Sequence, residues 1–284
     1  MKYLSLFSGV GMLDYGFYLA GMECIHQCEI NPYCQKILSL RFPEVSKSAD
    51  VEKLCRRCYD CNVIDEDTVW CPRCDMDFGD CECIGTDQFL DEIGQPELIV
   101  GGDPCQQHTN ARTHGKIPKS YGSEFIRIVT ELYPRFVLRE NPAVIRRDAE
   151  WSAARFADAL NNIGYECCTF QIKACCAGAD HRRKRMFVFA ALQNADGTRL
   201  QGDVCKIVAH QAEGRQDTYT ARSNWRDTSP RICRGTDGIT HRVDRLKSIG
   251  NGVDVRVAYR IGKALMSLGC VTVSGHELSG EDAT

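Results

Sequence analysis

The chain has 284 residues, 43% hydrophobic and 26% charged, a balance that suits one large globular domain with room for a small one beside it. No apolar run reaches the ~18 residues of a membrane helix, and the opening MKYLSLFSG lacks the basic stretch and long apolar core of an export signal, so membrane-spanning and secreted classes are not expected. The formal charge of −3 would argue against a nucleic-acid partner only if it were evenly spread, but 14 acidic and 4 basic residues between Asp50 and Glu97 give that segment −10 and leave +7 elsewhere.

In chain order, residues 2–6 read as a strand running into the turn Ser8-Gly9-Val10-Gly11 and a helix through Leu19. A second strand over 21–28 ends at Glu29. Asn31-Pro32 then supplies an N-cap and a first-turn proline for a helix carrying Cys34, Ile37, Leu38 and Leu40. Next comes a window holding 7 of the 18 cysteines: Cys55, Cys58, Cys61, Cys71, Cys74, Cys81 and Cys83. In a chain of this size without an export signal, that density predicts a reducing, cytoplasmic compartment, with reduced thiols, a metal site or a catalytic thiolate rather than disulfides.

Cys58-Tyr59-Asp60-Cys61 and Cys71-Pro72-Arg73-Cys74, separated by a hairpin of 63–64 and 69–70, have the spacing of a zinc ribbon. Cys55 with Cys58 is a competing first knuckle. Cys58 with Cys61 is preferred because Asn62 accepts the left-handed turn after a knuckle better than Tyr59 does. Cys55, Cys81 and Cys83 stand in reserve for a second zinc. The acidity of this insert points it away from phosphate.

Beyond it, 97–100 reads as a strand opening into Gly101-Gly102-Asp103-Pro104-Cys105, 123–132 as a helix, and 135–138 as a strand ending at Glu140-Asn141. A helix over 151–163 and a buried strand over 186–192 follow. The last element, 255–268, is an amphipathic helix with Val257, Ile261, Leu265 and Leu268 on one face. Cys167, Cys168, Cys175 and Cys176 flank strand-like stretches and are expected in the core. Strands alternating with helices predict an α/β fold, a mostly parallel sheet with helices on both faces, whose ligands bind at the carboxyl ends of the strands. Residues 8–11, Glu29, 101–105 and Glu140-Asn141 all fall there, so they should converge on one crevice.

A glycine turn after the first strand lets backbone N–H groups approach a ligand closely, and an acid ending the second strand can grip a ribose diol. Together they favour a nucleoside-containing cofactor. Cys105, after a stiff Gly-Gly-Asp-Pro turn at the mouth of the sheet, is set as a nucleophile rather than a core thiol.

In this order the motifs resemble the cytosine-C5 DNA methyltransferase family, S-adenosylmethionine-dependent enzymes with a Rossmann-like fold. LSLFSGVGMLDYGF at 4–17 matches its cofactor motif, and Glu29 and Asp50 match the acids ending its second and third strands. GGDPCQ matches its Pro-Cys motif, REN its Glu-Asn motif, HRRKRMFVFA its Gln-x-Arg-x-Arg strand and RVDRLKSIGNGV its late Gly-Asn-x-Val motif. The matches cover most of the chain outside 55–83 and roughly 193–240.

The resemblance implies that Phe7 stacks on adenine, that Ser8, Gly9 and Gly11 meet the methionine moiety, and that Glu29 binds the ribose hydroxyls with Ile30 beside the purine. Asp50 would take the adenine amino group, and Asn251 and Val253 would close the pocket. It further implies a Cys105 thiolate attacking C6 of a flipped-out cytosine, a protonated Glu140 at N3, and Arg183 holding the nucleotide with Arg185 in support. The short segment 193–242 would read a short site in double-stranded DNA, helped by Tyr219, Trp225 and the 10 basic residues between Arg199 and Lys247.

The implied organisation is a catalytic domain from 1–54 and 84–192, a zinc-binding insertion over 55–83 and a target-recognition region over 193–242. The chain returns to the catalytic domain over 243–272 and ends in a flexible tail, 273–284; no obligate protein partner is expected.

Three residues depart from the family pattern. Asp103 stands where a second proline is usual, and a carboxylate so near the thiol either raises its pKa or faces solvent. Pro142 replaces a valine, and His181 replaces a glutamine while keeping a hydrogen-bonding side chain. Two other readings stay open: the same chemistry on an RNA cytosine, and a lapsed member that binds DNA or cofactor because Asp103 has disabled the thiol.

Overall fold

A computed structural model of the chain describes residues 1–54, 70–71, 76–77, 93–104, 121–143, 151–192 and 252–271. Its elements are β1 (Lys2–Leu6), α1 (Met12–Leu19), β2 (Glu23–Cys28), α2 (Pro32–Arg41), β3 (Ser46–Ser48), β4 (Trp70–Cys71), β5 (Met76–Asp77) and β6 (Leu98–Gly101). There follow α3 (Gly122–Leu132), β7 (Phe136–Pro142), α4 (Ala153–Asn162), β8 (Tyr165–Lys173), β9 (Lys184–Leu192) and α5 (Val255–Val271). The Asn31 side chain caps α2, accepting from the backbone N–H groups of Tyr33 and Cys34, with Pro32 in the first turn as predicted.

Seven strands form one sheet in the order β3-β2-β1-β6-β7-β9-β8, parallel from β3 to β7. β9 runs antiparallel to both neighbours. Alternate residues on each strand supply two separate cores. Tyr3, Leu98, Val100, Phe136, Leu138, Phe187 and Phe189 pack with α1 and α5 on one face. Leu4, Leu6, Ile99, Val137, Val188 and Ala190 pack with α3 and α4 on the other. The α1–α5 crossing depends on small residues: a Cβ on Gly16 would lie 2.4 Å from the Ala258 Cβ and 2.7 Å from the Val255 carbonyl oxygen.

Two expectations change. Glu140 and Asn141 lie inside β7, because β9 continues the ladder as far as Pro142↔Arg185. Cys167 and Cys168, on β8, are half-buried against the two cores, and Cys175 and Cys176, in a 3-10 turn over Ala174–Ala177, are half-buried rather than fully inside. Trp70 pairs with Asp77, and Cys71 with Met76, in an antiparallel two-stranded sheet. The expected pairing of 63–64 with 69–70 lies outside the described residues. So do the other zinc candidates Cys55, Cys58, Cys61, Cys74, Cys81 and Cys83, the side chain of Cys71, and Cys105, Asn251, the segment 193–242 and the tail 273–284. Among the described residues no group of three His, Cys, Asp or Glu side chains gathers to hold a metal, and no helix is long and apolar enough to cross a membrane.

Candidate active site

The carboxyl ends of the parallel strands open onto a cavity of about 630 Å³. Phe7, Ser8, Gly9, Glu29, Ile30, Asp50, Glu140, Arg183 and Val253 line it, as do Gly102, Asp103, Pro104, Tyr121, Arg185 and Gly252. These residues come from distant parts of the chain, and the topology brings them together as the strand ends predicted. Gly11 lies behind the wall: its left-handed turn (φ 74°) starts α1, and a Cβ there would meet Phe42 at 2.6 Å and Leu38 at 2.9 Å.

The turn after β1 is strained. Phe7 has a φ of 53°, in the left-handed region that a bulky residue seldom enters. Its ring packs against Tyr121, with centroids 5.7 Å apart, and Phe125, 6.5 Å away. The Glu29 carboxylate is held from below, Oε2 accepting from the Gly9 N–H (2.7 Å) and Oε1 from the Asn31 N–H (2.8 Å). Burial raises its pKa and these two N–H groups oppose the rise. Asp50, after β3, accepts from the Glu52 N–H at 3.0 Å and faces the same cavity.

At the opposite wall the Gly101-Gly102 pair has a steric cause. A Cβ on Gly101 would sit 2.6 Å from the Leu6 carbonyl oxygen, and one on Gly102 would sit 2.8 Å from Glu140 Oε2. Glu140 is buried, with Oε1 2.5 Å from Arg185 Nε. Burial pushes its pKa up to about 7; Arg185 opposes the rise and Asp103 adds to it. Arg185 also donates from Nη2 to the Gly252 carbonyl (3.2 Å), tying β9 to the turn before α5. His181 accepts at Nδ1 from the Arg183 N–H (3.3 Å), which leaves Nε2–H to donate to Asp254 Oδ2 (3.1 Å). Asp254 in turn accepts from the Arg256 N–H at 2.9 Å as α5 begins.

Asp103 does not face solvent; its expected effect on the Cys105 thiol concerns a residue outside the described ones. Asp103 is buried, and its two carboxylate oxygens accept from Arg139 Nε (2.5 Å) and Nη2 (2.7 Å). Sequence reasoning missed Arg139 and gave Arg185 only a supporting role. The available signal was Arg139 itself, a charge amid the apolar run Phe136-Val137-Leu138, which must find a partner. Tyr121 carried no such signal.

A family model described as C-5 cytosine-specific DNA methylase matches residues 1–69 and 67–226. Type II methyltransferase M2.BsuMI of Bacillus subtilis (strain 168) is 26% identical over 201 residues, 68% of this chain and 42% of the relative. Type II methyltransferase M.AquIA of Picosynechococcus sp. is 27% identical over 166 residues, 56% of this chain and 54% of the relative. The chain thus spans about half the length of these relatives. Among solved structures, the S. pombe Dnmt2 methyltransferase aligns with a TM-score of 0.48 at 20% identity, covering 88% of this chain and 66% of that one.

Proposed function

Because the chain belongs to the C-5 cytosine-specific DNA methylase family, we propose that it transfers a methyl group from S-adenosylmethionine to C5 of cytosine in DNA. The observation that carries the reading is a buried acid, Glu140, with a pKa raised to about 7, across one cavity from an aromatic and carboxylate-lined wall. That wall fits the cofactor: Phe7 offers a ring to a purine, Glu29 offers a backbone-anchored carboxylate to a diol, and Asp50 offers an acceptor to an amino group. Ser8, Gly9, Ile30 and Val253 complete it, and Asn251 adjoins Gly252 in the chain. S-adenosylmethionine, when bound, supplies the methyl group as an electrophile.

The residues of the chain do the rest. C5 of cytosine is a poor nucleophile until the ring is activated. Cys105 as thiolate bonds to C6, while the Glu140 proton at N3 prevents charge from building on the ring, and electron density moves to C5. After C5 is methylated, loss of its proton expels the thiolate, and the N3 proton returns to Glu140. Arg185 holds Glu140 in place, and Arg183, on the cavity wall, grips the nucleotide. A base in a duplex must leave the stack to reach such a site.

The reading is tested with DNA duplexes and RNAs containing 5-fluorocytosine plus S-adenosylmethionine. Fluorine at C5 cannot leave as the proton does, so the Cys105–C6 bond persists. A denaturation-resistant DNA adduct that is lost in Cys105→Ala is expected. An adduct with RNA alone would move the substrate to RNA, and none across varied sequences would leave a lapsed binding protein.

A further inference from the structure

We propose that Asp103 and Arg139 form a charge-neutral clasp that positions the turn carrying Cys105 and sets the ionisation of its thiol, an inference that rests on reading Cys105 as the nucleophile. The pair is bidentate and almost wholly buried, with Arg139 1% and Asp103 5% exposed. The rest of the guanidinium is committed too. Nη1 donates to the Trp151 carbonyl at 2.9 Å, and the plane lies over the Phe156 ring, 4.4 Å from its centroid. Asn141 Nδ2 approaches both the carbonyl and Oδ1 of Asp103 at 3.4 Å. Arg139 pairs with Gly101 across β6 and β7, so the fork sits beside the end of the strand from which the Cys105 turn departs.

A buried ion pair of this kind is weak evidence for added stability, because desolvation offsets most of the attraction. It is a good device for orientation, since a planar fork on two carboxylate oxygens leaves Asp103 one arrangement. The ring of a second proline stiffens the backbone by a covalent constraint; here an ion pair to the next strand does it. The charge matters as much as the shape. Cys105 follows Asp103 by two residues in the sequence, and that covalent spacing alone keeps the two Cα atoms no more than about 7.6 Å apart. A lone carboxylate at that range would oppose a thiolate, whereas a carboxylate joined to a guanidinium adds little net field.

The test measures alkylation of Cys105 by iodoacetamide against pH in the full chain without DNA, following the Cys105 peptide by mass spectrometry so that other thiols do not interfere. Arg139→Met should move the alkylation midpoint up by on the order of one pH unit, and Asp103→Asn should move it down by a similar amount. The double variant should return to within a few tenths of the parent. Opposite shifts that cancel report charge at the thiol, which a loss of packing does not produce. Where Arg139→Met fails to fold, Asp103→Asn and the double variant still decide. A midpoint unmoved or raised in Asp103→Asn overturns the clasp. The expected shifts in a protein that forms no 5-fluorocytosine adduct would uphold the clasp and overturn the methyltransferase reading instead.

Discussion

At Glu140 the fold sets burial against an ion pair, and burial prevails. Arg185 at 2.5 Å favours the carboxylate, yet the group titrates near 7, so a large fraction carries its proton at neutral pH. That is the state needed to donate to a ring nitrogen. The acid form disappears as pH rises through about 7, while the thiolate of Cys105 becomes more abundant, so kcat/KM should follow a bell with its alkaline limb assigned to Glu140. Glu140→Gln keeps a donor but cannot pass a proton. It should lower kcat by about 10²–10⁴-fold and remove the alkaline limb, measured as methyl incorporation between about pH 6 and about pH 9. A limb that persists in Glu140→Gln would assign it elsewhere. Glu140 itself was legible in the sequence from its motif. Its partner was not, because Arg185 reaches it through the antiparallel ladder between β7 and β9, a pairing that no local pattern encodes.

The edge of the sheet shows how one side chain can hold an element. β3 is three residues long and is held to β2 by a short ladder. The buried ring of His26 reinforces it, Nδ1 lying 2.7 Å from Ser46 Oγ and Nε2 2.9 Å from Ser48 Oγ. Burial lowers the His26 pKa from 6.5 to about 4. The unfolded chain therefore takes up a proton at a higher pH than the folded one. The resulting stability is complete above about 6.5 and is lost as pH falls to about 4, a total of about 3 kcal/mol. Urea midpoints should drop between about pH 7 and about pH 4.5. In His26→Leu the drop should shrink, from a lower starting stability, because β3 loses both hydroxyl contacts. An undiminished acid drop in that variant would place the titrating group elsewhere. β3 leads directly to Asp50 on the cavity wall, so His26 also supports one side of the cavity. At this edge β2 and α2 were legible from period and caps, whereas β3 carried no pattern of its own and entered only through the resemblance at Asp50. The strand ends were less legible, because a neighbouring strand decides where a ladder stops, as β9 does when it draws Glu140 and Asn141 into β7.

Across the whole molecule the cysteine count and the charge divide the chain in the same place. The acidic segment between Asp50 and Glu97 contains the seven clustered cysteines. Cys71-Pro72-Arg73-Cys74 has the C-x-x-C spacing of a zinc knuckle in the sequence. Metal analysis of the purified chain should find at least one zinc per molecule, lost in Cys71→Ala; a metal-free parent protein would end that reading. With −10 confined there, the remaining +7 is free to meet phosphate. Lys184 is the clearest place to look, since it is exposed at the start of β9, between the two arginines that face the cavity. Each phosphate neutralised by a cation contributes roughly 0.9 to the slope of log K against log salt on duplex DNA. Binding should therefore weaken steeply with salt despite a formal charge of −3, and Lys184→Ala should flatten that slope by about one unit without changing which sequences are preferred. A slope unchanged in Lys184→Ala would show that this rim of the cavity does not face the backbone. The nucleic acid would then have to approach from another side of the molecule.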